Sequence, residues 1–223
     1  MSTVNNKAPQ KERNPKVEIR NRAKTWSRIA EGLRGMVKKP YKAIPIAALI
    51  IALVIALNIR DDYVEQLITT EFIVPIFSMI AAVALSIFTL ALIIGVITFI
   101  GTPKDAKNID YGIASALKIN EKDEYKEPFL KSRRPAHESD KSITNKNIVD
   151  FIFWSRWVPI DEWKKELHLP AILSALDVTK ESLVDIKNGK KIIGKGKDPH
   201  IIIVRIDVNY SSDDVQPPSD PLF

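Results

Sequence analysis

The sequence predicts an α+β protein in two parts, a two-helix transmembrane hairpin followed by a small cytoplasmic α+β domain. Three observations predict it. Two long uncharged apolar blocks lie between residues 43 and 103, a basic arm precedes them, and after Pro103 the chain turns polar before strand and helix patterns resume. With 223 residues the chain has room for one ordinary domain or a small domain with appendages. It contains no cysteine, which excludes disulfides, thiolate metal sites and a cysteine nucleophile.

The arm, residues 1–42, carries twelve Lys or Arg against three Glu, although the whole chain has a net charge of only +6. Such an arm suits anionic lipid or nucleic acid. Its first fifteen residues, with Asn, Pro, Lys and Gln, predict disorder. From Lys16, Ile19, Ala23, Trp26, Ala30, Leu33 and Val37 recur at helical spacing, with Arg20, Arg22, Lys24, Arg28 and Arg34 around the other faces. A basic amphipathic helix next to an apolar block is expected to lie on a membrane surface. The candidate lipid-binding residues are Arg20, Trp26, Arg28, Arg34, Lys38 and Lys39, at about 1 kcal/mol per basic residue. A weak, non-specific contact with DNA phosphates is the alternative, and packing on a partner is a third.

Residues 43–103 hold the hairpin, with spans predicted at about 43–59 and 74–100. Ala43–Ile59 is seventeen residues without a charge, at the short end of what crosses a bilayer, and Phe72–Pro103 is thirty-two. In lipid the backbone must satisfy its own hydrogen bonds, so each block is expected to be an α-helix. A cleaved signal peptide fits poorly behind so long a charged arm. The arm is basic, whereas the intervening "RDDYVEQLITTE" has one Arg against four acids. Positive charge stays on the cytoplasmic side, which predicts an inner-membrane protein with both termini cytoplasmic. Neither block contains an ionisable residue, so a transport pathway is disfavoured. Ser78, Ser86, Thr89 and Thr98 are expected to bond back to their own helix. Ala91 and Gly95 offer a weak small-residue helix contact.

Residues 104–147 read as a linker with one short helix around Asp110–Leu117 and a solvated "KSRRPAH" cluster. The small α+β domain is expected over 148–208. "IVDFIFW" reads as a buried strand, Pro159 as a corner, and "IDEWKKELHLPAILSAL" as a helix that Pro170 kinks or divides. Ile160, Trp163, Leu167, Ile172 or Leu173, and Leu176 would share its buried face. "LVDIKNG" and "HIIIVRIDV" follow as a short strand and a strong one, and residues 209–223 form a polar, proline-rich tail. Within "FIFWSRWVPIDEW", Phe151, Phe153, Trp157 and Trp163 are spaced to bury together. Trp154 and Arg156 remain as the candidate partner-binding residues.

Chemical motifs are weak. Gly189–Lys195 fits G-x-x-x-x-G-K, but Gly196 stands where a phosphate-binding loop needs the hydroxyl that binds Mg²⁺. His137, His168 and His200 lack the spacing of a metal-binding helix. Asp161 and Glu162 suit the positive end of a helix better than paired acid–base work. No nucleophile–base arrangement is evident, so the chain is expected to be no enzyme, with no cofactor.

Three stretches carry a resemblance: Val158-Pro159-Ile160-Asp161-Glu162-Trp163, Ser174-Ala175-Leu176-Asp177-Val178, and Gly196-Lys197 with Ile201–Val204. Together with the membrane layout, the last seventy residues resemble the region before the motor in FtsK/SpoIIIE-type DNA translocases of mobile elements, including conjugative coupling proteins. The resemblance implies an anchor and adaptor without the RecA-like ATPase. Its partner would be a translocation ATPase, and self-association into a homo-oligomer is common among such anchors. The alternative is an adaptor subunit of a secretion or cell-envelope complex unrelated to DNA transfer.

Overall fold

Three long helices occupy the first hundred residues. The computed structural model describes residues 14–67, 73–190 and 197–210. Helix α1 spans Pro15–Lys38, α2 Ile44–Leu67 and α3 Ile73–Ile100. Local chemistry sets the ends of α1. Asn14 caps it, its Oδ1 accepting the Lys16 N–H at 3.0 Å, and Pro15 takes the first-turn position where a missing N–H costs nothing. Pro40 ends it by holding Lys39 out of the helical region, at φ −136° and ψ 83°.

Two units form, one from Met1–Lys24 with Asp105–Phe223 and one from Thr25–Lys104, so α1 begins in the first and ends in the second. In the second unit α2 packs on α3. Both are long and apolar enough to cross a membrane, over Pro40–Arg60 and Ser78–Ile100. Ser86, Thr89 and Thr98 return their hydroxyl hydrogens to Ala82, Leu85 and Ile94 carbonyls at 2.7–2.9 Å, as their place in an apolar helix predicts. The expected loop after Arg60 instead continues α2 to Leu67, and residues 68–72 lie outside the described ones.

The first unit is built on a four-stranded antiparallel sheet ordered β1-β2-β4-β3, with β1 Phe129–Pro135, β2 Ile148–Trp154, β3 Leu183–Lys190 and β4 Lys197–Asp207. Phe151 faces Val204 and Phe153 faces Ile202 across the β2–β4 ladder. These side chains share the sheet face covered by α4 (Ala106–Ala116), α6 (Ile160–Lys164) and α7 (Leu169–Ala175). Ile113 of α4, Trp163 of α6 and Ile172 of α7 are fully buried there. The indole N–H of Trp163 donates to Ser155 Oγ at 3.3 Å, and Ser155 in turn donates to the Val158 carbonyl at 2.9 Å. That pair of bonds fixes the corner between β2 and α6.

Several sequence expectations require correction. Residues 104–147 are no simple linker, because they supply α4, the edge strand β1 and the short helix α5, Ala136–Ser139. An edge strand needs few apolar side chains, so "FLKSRRP" carries no strand signal; Ser132 is buried and Arg133 stands 4.9 Å over the Phe151 ring. The domain therefore extends well before residue 148. The predicted helix is divided ahead of Pro170, as expected: its ring would clash with the Glu166 carbonyl of a continuous helix, so the break falls at Lys165–His168 and Pro170 takes the first turn of α7. That break resets the helical phase and turns Leu167 outward, 71 % exposed. Residues 1–13, with most of the arm's expected disorder, and residues 211–223, with most of the predicted tail, lie outside the described residues. So does 191–196, the core of the Gly189–Lys195 motif.

Both α4 and α7 end in the same way. Lys118 and Asp177 adopt left-handed backbones, at φ 53° and 57°. The Ile119 N–H reaches the Ala114 carbonyl and the Lys118 N–H that of Ser115, while Val178 and Asp177 repeat the pattern on Leu173 and Ser174. These are Schellman caps, which satisfy the last carbonyls of each helix.

Candidate functional site

The candidate lipid-facing surface starts with α2 and α3. None of the residues in the most apolar window of the first helix is buried, and 6 % of those in the second. Ile51, Ile55, Ile80, Ile87 and Phe88 are exposed side chains with no polar function. Length, composition and exposure together make these two helices candidate membrane spans.

The second half of α1 continues this surface. Trp26, Leu33 and Val37 stand exposed on one of its faces, and Lys38 and Lys39 are exposed at its end. Arg34 is partly buried, and Arg28 is buried where α1 meets the end of α3. That crossing is glycine-made. A Cβ on Gly32 would lie 2.1 Å from the Ile97 carbonyl oxygen, and one on Gly101 only 1.8 Å from that of Arg28. Close approach of helices through small residues is the packing logic of membrane helices. A Cβ on Gly95, by contrast, would meet nothing within 4 Å, so the Ala91–Gly95 pair makes no such contact here.

Arg20 departs from its expected place on lipid. It is 6 % exposed, and its guanidinium donates to the Glu127 carbonyl at 2.9 Å and to Glu127 Oε2 at 2.7 Å. One turn on, Lys24 Nζ meets Asp110 Oδ2 at 2.8 Å, while Asp110 Oδ1 accepts the Leu130 N–H at 2.6 Å. One turn back, Lys16 lies 4.8 Å over the Tyr125 ring. Magnitudes decide between the two uses of Arg20. A hydrogen bond to a charged partner contributes about 1.5–3 kcal/mol, whereas a basic residue near an anionic bilayer gains about 1 kcal/mol. Helical periodicity reveals that Lys16, Arg20 and Lys24 share a stripe, but it cannot say that the stripe faces protein.

The strand-to-helix corner positions the candidate partner residues. Trp154 is half-buried, stacked on Phe129 at 5.2 Å and edge-on to Trp157 at 5.4 Å; Trp157 meets Tyr125 edge-on at 5.4 Å. Arg156 is exposed, with its guanidinium 5.6 Å from the centre of Trp157. Trp154 and Arg156 are therefore linked through Trp157, which is less buried than its spacing predicts. This aromatic row holds β1 to β2 and leaves Arg156 as its outward charge.

Two clusters are hidden from sequence reasoning. On the sheet face away from α4, Asp150 accepts two bonds from Arg205, at 2.7 and 3.0 Å, and one from the Ser139 hydroxyl. The paired carboxylate, first by its hydrogen bond, raises the Arg205 pKa. Nearby Asp140 is drawn down to about 2, chiefly by hydrogen bonds from the Ser142 hydroxyl and N–H and then by Lys187 and Arg205. The available signal is a charge set beside an apolar run in each strand, Asp150 in IVDFIFW and Arg205 after IIIV. The second cluster is a cavity of about 510 Å³ beside α7, with Leu169, Leu173 and Val178 in its wall and Glu166, Asp177 and Lys180 as its charges. His168 is buried, its Nδ1 2.8 Å from the Ala116 carbonyl oxygen, and ties α4 to α7. Among the described residues, no group of three or more His, Asp or Glu is placed to hold a metal ion.

Compared with known proteins, the chain matches no family model, no curated protein and no solved structure. The motif Ser174–Val178 is accounted for locally by the Schellman cap of α7, and Val158–Trp163 by the β2–α6 corner.

Proposed function

We propose that this chain is a non-enzymatic adaptor of the inner membrane, whose helical hairpin carries a cytoplasmic α+β domain that docks a partner. The observation that supports it most is the exposed apolar surface of α2 and α3, joined in one chain to a folded domain. Within that domain the buried charges serve packing: Asp150 holds Arg205, and Asp110 holds Lys24 and the β1 backbone. The excess of Lys and Arg before α2, against the four acids of 60–71, favours cytoplasmic placement of both flanks. Hydrogen bonds between 15–24 and 110–130 favour the same arrangement, because they need both flanks on one side.

The partner we propose is a translocation ATPase, on the strength of the FtsK/SpoIIIE-type resemblance, and its contact is Arg156 with the edge of Trp157 and Trp154. Exposed Arg and Trp are the residues that anchor interfaces most often. The test is affinity purification of the tagged full chain from its native membranes in mild detergent. A DNA-translocating ATPase should co-purify, and Arg156→Glu should lower its recovery about tenfold, the equivalent of about 1.4 kcal/mol. Recovery of a secretion or envelope component in its place moves the chain to the alternative adaptor class. Unchanged recovery with Arg156→Glu removes Arg156 from the docking surface.

A further inference from the structure

We infer that the basic arm completes the C-terminal domain, so that the domain closes only when both flanks of the hairpin stand on the same side of the membrane. The domain is discontinuous: its unit joins Met1–Lys24 to Asp105–Phe223, and the eighty residues between belong to the other unit. The join is specific. Lys16, Arg20 and Lys24 are spaced four apart and form one stripe of α1. Opposite them stand Tyr125, then Glu127, then Asp110 with Phe129, whose ring Lys24 overlies at 5.9 Å.

Asp110 makes the arm part of the domain's interior architecture. It is buried, and its two oxygens separately hold Lys24 and the Leu130 N–H at the start of edge strand β1. Removing Lys24 would leave that carboxylate buried beside a single backbone donor, an arrangement folded proteins avoid. Glu127 acts twice as well, through its carbonyl and its carboxylate, both on Arg20. A helix that merely rested on the surface would not meet a buried carboxylate already serving a strand. The inference rests on the hairpin reading, since only a hairpin returns 105–130 to the side of 15–24. It holds whatever partner the domain docks.

The experiment uses the full chain, in membranes and in detergent. A zero-length carbodiimide should couple Lys24 Nζ to the Asp110 carboxylate, and mass spectrometry should find that peptide pair in both settings. Arg20→Glu should raise the rate of limited proteolysis within 105–210 about tenfold, because cleavage follows the population of the open form. Adding Glu127→Arg to that variant should return the rate to within about threefold of the parent, an outcome that simple misfolding would not give. Absence of the link in both settings, or proteolysis indifferent to Arg20→Glu, overturns the inference. A link in detergent but not in membranes overturns its membrane condition. Failure of the hairpin itself is read separately, by impermeant labelling of its flanks.

Discussion

Asp140 and Asp150 lie close together on one sheet face, yet they answer to different physics. Asp150 is fully buried and bidentate to Arg205, so its contribution does not depend on solvent screening. Replacing it would take two hydrogen bonds from the buried guanidinium and leave the partly exposed Asp140 at 3.6 Å; breaking a buried pair in this way costs about 3–5 kcal/mol. Asp140 is partly exposed and lies 3.6 Å from Arg205 and 3.7 Å from Lys187. Its folded pKa of about 2 lies below the ordinary value of 3.8. A depressed acid stabilises the fold above its unfolded pKa and loses that contribution as pH falls through the folded value. The domain should therefore lose stability between about pH 4 and pH 2, and Asp140→Asn should remove that part of the loss. Thermal midpoints of the two proteins should differ at pH 5 and converge by pH 2. A gap that persists unchanged at pH 2 would show that Asp140 acts by something other than its charge.

At the scale of elements, the helices are far more legible in the sequence than the strands at the sheet margin. Apolar blocks without charge announce α2 and α3, and periodicity announces α1, whose observed range is Pro15–Lys38. Strand β2 is legible from its β-branched and aromatic run, whereas β1 is not, since an edge strand lined with Lys and Arg carries no alternation to detect. The candidate lipid residues belong to one basic helix with its following turn, but a helix has several faces and burial assigns them. Trp26, Lys38 and Lys39 stay exposed, while Arg20 and Arg28 are taken inside. Nor does spacing show which glycines permit contact. Gly95 lies in a small-residue pattern and touches nothing, while Gly32 and Gly101 meet backbone. Gly101→Ala should thus force α1 from the end of α3 at a cost of about 1–3 kcal/mol, the range for overpacking a close contact. Gly95→Ala should be neutral. Thermal unfolding of the two variants in the same detergent compares them, and equal midpoints would remove the glycine crossing as a source of stability.

At the scale of the whole molecule, the topology we propose is argued from charge and from connectivity, which are independent of each other. The charge argument rests on twelve Lys or Arg before the first apolar helix and four acids between the two. The connectivity argument needs no charge rule: an arm hydrogen-bonded to Glu127 and Asp110 cannot lie across a bilayer from them. Both expect Lys39 and Tyr111 on one side of the membrane, and two spans between them would then put Asp62 on the other. The absence of cysteine makes the test direct, because each introduced thiol is the sole one in the chain. Lys39→Cys and Tyr111→Cys, at exposed positions before and after the hairpin, should react with an impermeant maleimide only in inverted vesicles. Asp62→Cys should react only in right-side-out vesicles. Labelling of all three in inverted vesicles would mean that the apolar helices do not span, and their exposed surface would then need a protein partner in place of lipid. Opposite sidedness of Lys39→Cys and Tyr111→Cys would mean that one helix alone spans, which is incompatible with the ion pair between Lys24 and Asp110. The first failure would remove both spans, and the second would remove one span together with the contact of the arm on Asp110, so the labelling pattern tells them apart.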